Sequence, residues 1–120
     1  MTDPMLNSAI PSPCYVCEEA ALEANLQLMQ HVQQQSGVEI ILALKGFSMW
    51  STFKLVGQYL QGSTASAVWE ARLGKEEIGK QVHAYSPAFK PKDIDKLVSL
   101  VNHISFNSLG QWNRYKEQIL

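Results

Sequence analysis

The sequence has little of the features that mark several common protein classes. It carries two cysteines, and its formal net charge at pH 7 is −1. So small a net charge gives no electrostatic attraction to nucleic acid or to an anionic membrane surface. Every apolar run is far shorter than the stretch of about 20 residues that crosses a bilayer. These features argue against a protein that binds nucleic acid and against one that spans a membrane. We therefore expect a cytoplasmic location by default.

The two cysteines, Cys14 and Cys17, are spaced as Cys-x-x-Cys. In isolation that spacing is found in redox pairs and in half of a zinc site. The sequence has no second Cys-x-x-Cys pair and no His-x-x-x-His pair to complete four zinc ligands. We therefore predict that residues 14–17 are a β-strand and that no metal is bound.

Residues 1–12 lack the basic segment and the long apolar core of a secretory signal. We predict that they are a disordered leader before one domain over residues 13–120. Helical and strand patterns alternate along that domain. Helical spacing predicts a first helix over residues 18–35. Further strands are predicted at residues 39–44, 63–66, 81–85 and 103–106, each followed by a helix. Ser48 or Ser51 could cap the second helix, Gly79 should end the third, and Pro91 should begin the fourth, which carries Ile94, Leu97, Val98 and Val101 at helical spacing.

The centres of these four strands recur at a nearly constant interval, at Leu42, Thr64, His83 and Ile104. A βα unit that repeats at this interval predicts parallel strands joined by right-handed crossovers. A barrel and a doubly wound sheet both satisfy that pattern, and the repeat alone does not choose between them.

Lys45 is the most informative residue, because it ends the apolar run of residues 40–44. Lysine is almost never fully buried without a partner. In a desolvated site its pKa falls and it becomes a nucleophilic amine suited to Schiff-base chemistry. The alternative, a solvated lysine that follows a buried strand, is the more frequent case for such spacing.

The segment around Lys45, residues 41–50, reads Ile-Leu-Ala-Leu-Lys-Gly-Phe-Ser-Met-Trp. It resembles the cofactor-lysine segment of the carboxynorspermidine/carboxyspermidine decarboxylases, which are alanine-racemase-like, fold-type III enzymes that use pyridoxal phosphate. Weaker likenesses follow in the family's order at residues 13–20, 63–74, 83–90 and 104–109. The resemblance extends over about residues 11–116.

The resemblance implies an α/β fold of parallel βα repeats, and it favours a TIM (β/α)8 barrel. A closed barrel of this kind needs about 250 residues. We therefore expect the chain to be truncated and to form about half of the barrel, the N-terminal half. We also expect an open half-barrel to leave apolar inner faces and sheet edges unpaired. Such a chain is predicted to form a homo-oligomer, most simply a dimer.

The resemblance also implies the site residues. Lys45 is the catalytic residue and carries pyridoxal 5′-phosphate as a Schiff base. Glu70 and Tyr85 match positions after the second and third strands and are expected to contact the cofactor; Glu70 is equally explained as a charge in the first turn of a helix. Thr64 and Ala67 stand where many relatives have an acid and a serine, so that carboxylate is missing here.

Other polar residues have simpler explanations. His83 fits a packed strand histidine, Lys90 a solvated loop lysine, and Asn107 or Ser108 the cap of a last helix. A cofactor phosphate is usually bound by a glycine-rich loop or a helix N-terminus. None of the seven glycines forms such a loop, and in the family the phosphate loops come from later strands.

The resulting hypothesis is the N-terminal part of a pyridoxal-phosphate-dependent decarboxylase of polyamine biosynthesis, which acts on a small-molecule polyamine and is inactive as this chain alone. One alternative is another fold-type III enzyme, an amino-acid racemase or a diamino-acid decarboxylase. The segment Phe-Ser-Met-Trp after Gly46 argues against it. A second alternative is a non-catalytic, truncated chain that acts only by self-association, which the missing phosphate loops favour.

Overall fold

The computed structural model describes residues 10–120. In this part of the chain, five α-helices alternate with four β-strands. The helices are α1 (Glu19–Ser36), α2 (Phe53–Tyr59), α3 (Val68–Leu73), α4 (Pro91–Leu100) and α5 (Leu109–Ile119). The strands are β1 (Ile41–Ala43), β2 (Gly62–Ala65), β3 (Gln81–Ser86) and β4 (His103–Phe106). None of the described helices has the length and hydropathy that a membrane span needs.

The four strands form one sheet in the order β1-β2-β3-β4, and all three pairings are parallel. Parallel neighbours cannot be joined by a tight turn, so a helix connects each pair. The register places Thr64 beside Ala43 and His83, and His83 beside His103. The predicted α/β fold of parallel βα units, adjacent in chain order, is therefore confirmed.

The predicted strand at residues 14–17 is wrong. These residues run without strand pairing to the start of α1, and Tyr15 is 97% exposed. Sequence pattern alone misled here, because an extended segment becomes a strand only when a neighbour pairs with its backbone. Within residues 10–120 nothing does so. The predicted disorder of the leader falls mostly on residues 1–9, which lie outside the described residues.

The hydrophobic core lies between the helices and one face of the sheet. The larger cluster packs Ala65, Val82 and Ala84 of the sheet against Ile94 and Leu97 of α4. A smaller cluster surrounds β1 and α1, and contains Leu26, Val56 and Leu60 with the partly buried Ile40 and Leu42. Together they hold the helices on one side of the four strands.

The other face of the sheet is mainly polar on β2 to β4. Residues on a strand alternate between the two faces, so the residues between the core positions of β3 point away from the helices. With their register partners, they form a polar surface of Thr64, Gln81, His83, His103 and Ser105. The expectation of apolar inner faces was therefore wrong for these strands, because their apolar side chains are already buried under the helices.

A buried side chain in the last turns of α1 connects this helix to the start of β1. Gln33 of α1 donates from Nε2 to the carbonyl of Tyr59 at 2.9 Å, and its Oε1 accepts the N–H of Ile40 at 2.8 Å. Backbone groups that lie out of water need such partners. This contact fixes α1, the end of α2 and the entry to β1 relative to one another.

Three helix boundaries lie at the residues predicted to start, stop or cap a helix, and a fourth does not. Pro91 lies in the first turn of α4, and Gly79, with φ of 69°, ends the π-helical turn that continues α3 over Gly74–Ile78. Ser108 caps α5 by accepting the N–H of Gln111 at 3.2 Å. Neither Ser48 nor Ser51 caps α2, because the chain enters it through a 3₁₀ turn at Trp50–Thr52.

Candidate functional site

The carboxyl ends of the four strands meet at one edge of the sheet, which is where barrel enzymes carry their chemistry. Lys45 lies at this edge. The ladder between β1 and β2 continues through Leu44, whose N–H donates to the carbonyl of Thr64 at 3.1 Å. The chain then turns sharply, with the N–H groups of Gly46 and Phe47 both donating to the carbonyl of Ala43.

The side chain of Lys45 is exposed. Among the described residues it has no hydrogen-bond or ion-pair partner. This exposure agrees with both explanations of Lys45. It is expected of a solvated lysine that follows a strand, and it also leaves the amine accessible to a small molecule. The position at the strand end agrees with the sequence prediction, whereas the chemical role of the amine stays a prediction.

Tyr85 lies near the end of β3, at the same edge of the sheet. It is 40% exposed, and its hydroxyl donates to Oδ1 of Asn107, just beyond β4, at 3.2 Å. Sequence reasoning treated Asn107 only as a possible cap. Its contact with Tyr85 follows from the pairing of β3 with β4, which no local signal specifies.

Glu70 has a local structural partner. Its Oε2 accepts the N–H of Ser66 at 2.5 Å, so the carboxylate bridges the loop after β2 and the first turn of α3. A glutamate at this point of a helix commonly reaches back to a free backbone N–H. The contact supports the explanation of Glu70 as a helix-start residue, and its proposed contact with a cofactor stays a prediction.

The polar face of the sheet brings His83 and His103 together. Their ring centroids are 4.3 Å apart, and Nε2 of His83 lies 3.3 Å from Oε1 of Gln81. Burial lowers the pKa of His83 from its ordinary value of 6.5; His103 lowers that pKa further, whereas Glu39 opposes the change. His83 is therefore a strand residue that is harder to protonate than a free histidine.

This lowered pKa predicts a loss of stability in acid. The unfolded chain binds a proton on residue 83 more readily than the folded chain, so the free energy of unfolding should fall as the pH drops below about 6.5. Urea denaturation at pH 7.5 and pH 5.5 measures that loss, which should be smaller in His83→Gln. His31→Gln, an exposed substitution on α1, is the matched control. An equal loss in both variants would contradict the assignment.

A groove lies beside the turn that follows Lys45. It has a volume of about 720 Å³ and is lined mainly by apolar and aromatic residues, among them Tyr15, Cys17, Phe47, Met49 and Trp50. Cys14 and Cys17 are both free thiols. Within residues 10–120, no three His, Cys, Asp or Glu side chains are grouped so that they could hold a metal ion.

No protein-family model matches the chain. Among curated proteins, it is 47% identical over 112 residues to carboxyaminopropylagmatine decarboxylase of Synechocystis; this match covers 93% of the chain and 29% of that protein. It is 43% identical over 114 residues to carboxynorspermidine/carboxyspermidine decarboxylase of Campylobacter jejuni, which covers 95% of the chain and 30% of that protein. The enzyme of the same name from Herminiimonas arsenicoxydans is 42% identical over 106 residues.

A solved structure gives the same result. The crystal structure of carboxynorspermidine decarboxylase from Campylobacter jejuni, complexed with norspermidine, matches with a TM-score of 0.88 and 44% identity. The match covers 92% of this chain and 30% of that one. The resemblance inferred from the residues around Lys45 is therefore confirmed, and the chain spans about 30% of the length of the proteins that it matches.

Proposed function

We propose, from its homology to part of the carboxynorspermidine/carboxyspermidine decarboxylases, that this chain is the lysine-bearing part of a decarboxylase of carboxylated polyamines. The observation that supports the proposal is the position of Lys45. Its amine lies exposed at the carboxyl edge of four parallel strands, in a chain 42–47% identical to three named decarboxylases. We place this segment in the N-terminal half of a (β/α)8 barrel.

We propose pyridoxal 5′-phosphate as the cofactor. The described residues fit its aldehyde end, because Lys45 is an exposed lysine at the carboxyl edge and Tyr85 is a partly exposed residue at the same edge. When bound, the cofactor supplies an electron sink for the carbanion left by loss of carbon dioxide. In this assignment Lys45 holds the cofactor covalently, Tyr85 contacts it, and Glu70 fixes the loop after β2 and contacts the cofactor from there.

The described residues around Lys45 do not fit the phosphate end of the cofactor. Such a phosphate is usually bound by a glycine-rich loop or by the N–H groups of a helix N-terminus. The seven glycines are spread along the chain, and two of them, Gly37 and Gly79, end helical segments with positive φ. We therefore propose that this chain alone does not decarboxylate and that further residues supply the phosphate site.

The substrate is proposed to be a small polyamine that carries a carboxylate. The names of the related enzymes include carboxynorspermidine, carboxyspermidine and carboxyaminopropylagmatine, and the solved relative is complexed with norspermidine. Carboxynorspermidine or carboxyspermidine is the first candidate. Carboxyaminopropylagmatine is the second, and the 47% identity to the enzyme named for it favours testing both.

The sheet edges support the proposal of a homo-oligomer. Within residues 10–120, β1 and β4 each leave one edge without a strand partner, and such edges recruit further strands. We expect light scattering of the dilute chain to give a mass above its 13.4 kDa. A well-folded monomer at that concentration would remove this argument.

Chemical trapping tests the assignment of Lys45 separately from activity. The chain is incubated with pyridoxal phosphate, reduced with borohydride and digested, and the labelled peptide is identified by mass spectrometry. We expect the label on Lys45 and little on Lys54, an exposed lysine of α2 that serves as internal control. A label spread evenly over the exposed lysines, or concentrated on Lys90, would overturn the site.

A chain extended to the length of the relatives tests the reaction. It should bind pyridoxal phosphate tightly and release carbon dioxide from one of the carboxylated polyamines, whereas the 120-residue chain should release none under the same conditions. Release of carbon dioxide from an α-amino acid or a diamino acid, but from no carboxylated polyamine, would favour the other fold-type III enzymes.

A further inference from the structure

A second cleft lies at the carboxyl edge, away from Lys45. It has a volume of about 340 Å³ and lies between the loops that follow β2 and β3 and the first turns of α4. That volume is within the range of sites for small molecules. Phe89 and Leu97 form part of its apolar wall, and Ser66 and Ser86 also line it. Lys45 does not line it.

The cleft concentrates positive charge. Lys90, Lys92 and Lys96 line it together with a single carboxylate, that of Asp93. The excess is local, because the whole chain has a net charge of −1. Lys92 and Lys96 are one turn apart on α4, a spacing at which like charges repel and destabilise a helix. An anion between them would relieve that repulsion.

The three ammonium groups are free to bind a ligand. Within residues 10–120, none of them has a hydrogen-bond or ion-pair partner. Other cations of the chain do: Lys75 donates to the carbonyl of Ser99, Lys80 to that of Leu60, and Arg72 pairs with Glu76. Lys45 also lacks such a partner, so it is the grouping of Lys90, Lys92 and Lys96 around one space that sets these lysines apart.

The donors favour a phosphate over a single carboxylate. Several ammonium groups around one space act as point charges, which is how lysine binds phosphate. Ser66 adds a hydroxyl at the cleft, whereas the hydroxyl of Ser86 already donates to the carbonyl of Ala88 at 3.1 Å. Helix α4 begins at the cleft with the positive end of its dipole. At the rim the indole of Trp69 is 79% exposed and offers a flat surface for a ring.

We infer that this cleft binds an organic phosphate of the nucleotide kind, with its phosphates among Lys90, Lys92 and Lys96 and its ring against Trp69. The inference does not rest on the proposed decarboxylase function, since the cleft shares no lining residue with the turn at Lys45. Nor does it need the phosphate site that the proposed cofactor requires elsewhere.

Titration of the ¹⁵N-labelled chain with ADP, followed by amide NMR, tests the inference. We expect saturable shifts confined to residues 66–69 and 86–97. Pyrophosphate should shift the lysine side of the cleft more weakly, and adenosine should shift nothing. If adenosine bound with the same affinity as ADP, the proposed role of the phosphates would be wrong. If pyrophosphate bound with the same affinity as ADP, the proposed contact with Trp69 would be wrong.

Two double variants separate a built site from general charge. Lys92→Gln with Lys96→Gln should weaken ADP binding by at least tenfold. The control, Lys54→Gln with Arg114→Gln, removes the same charge from exposed positions outside the cleft and should leave binding within twofold. Lys92 and Lys96 line the cleft, whereas Lys54 and Arg114 do not. Circular dichroism checks that each variant is folded. Equal weakening in both double variants would overturn the site.

Discussion

Lys45→Ala, made in the chain extended to the length of its relatives, will abolish both the absorbance of the lysine-bound cofactor and the release of carbon dioxide. The amine is the proposed covalent anchor, and no other described residue at that edge of the sheet offers one in the same position. The rate should fall by at least about 1,000-fold, within the range seen when a group that acts directly in catalysis is removed. Absorbance spectra and carbon dioxide assays measure the two effects.

The substitution should not affect folding. The side chain of Lys45 is exposed and has no hydrogen-bond partner among the described residues, so the midpoint of urea denaturation should be unchanged. Lys54→Ala removes another exposed lysine from the same chain and should keep both the absorbance and the activity. If Lys45→Ala retains the bound-cofactor absorbance while Lys54→Ala or Lys90→Ala loses it, the family is right and the site is wrong.

Gly62→Ala will destabilise the fold by about 3 kcal/mol, the upper part of the usual range for overpacking a closely fitted interior. Gly62 is buried in β2, and a Cβ there would overlap the backbone carbonyl of Gln81 in β3. A flexible side chain could move aside, but the backbone carbonyl of Gln81, which pairs with Gly62 where β2 and β3 begin, cannot move without separating the two strands there. Urea denaturation measures the loss.

Gly110→Ala is the matched control. Gly110 lies in the first turn of α5, and the nearest atom to its added Cβ is Oγ of Ser108 at 3.7 Å, an ordinary contact. Alanine is the better helix former, so this variant should gain about 0.5–1 kcal/mol. A Gly62→Ala chain that unfolds at the same urea concentration as the original would show that the β2–β3 contact is looser than the structure describes.

Local sequence signals predicted most of the secondary structure. Helical spacing located α1 and α4, and the residues of β4 matched in full. Pro91 and Gly79 marked a start and a stop, because each restricts the backbone on its own without help from distant residues. The alternation of polar and apolar residues in β3 is visible in the sequence. From the sequence we nevertheless predicted apolar residues on the face of the sheet that the helices do not cover, and that face is polar.

The candidate site was predicted in part. The segment around Lys45 identified the lysine and the strand end by resemblance, and the comparisons confirm the enzymes that it resembles. The contact of Tyr85 with Asn107 and the approach of His83 to His103 could not be predicted, because they join residues about 20 positions apart through strand pairing. Glu70 was left with two explanations, and its bond to Ser66 supports the local one.

The sequence by itself determined the order of strands and helices, the parallel arrangement and the place of Lys45, because these depend on periodicity, on residues that restrict the backbone and on a resemblance carried by short segments. Tertiary structure alone decided that residues 14–17 are not a strand, that the open face of β2 to β4 is polar, and that three lysines of α4 and the loop before it surround one cleft. The reason is physical: a strand, a face and a cleft exist only relative to a neighbour, and neighbours are set by packing between segments far apart in the chain.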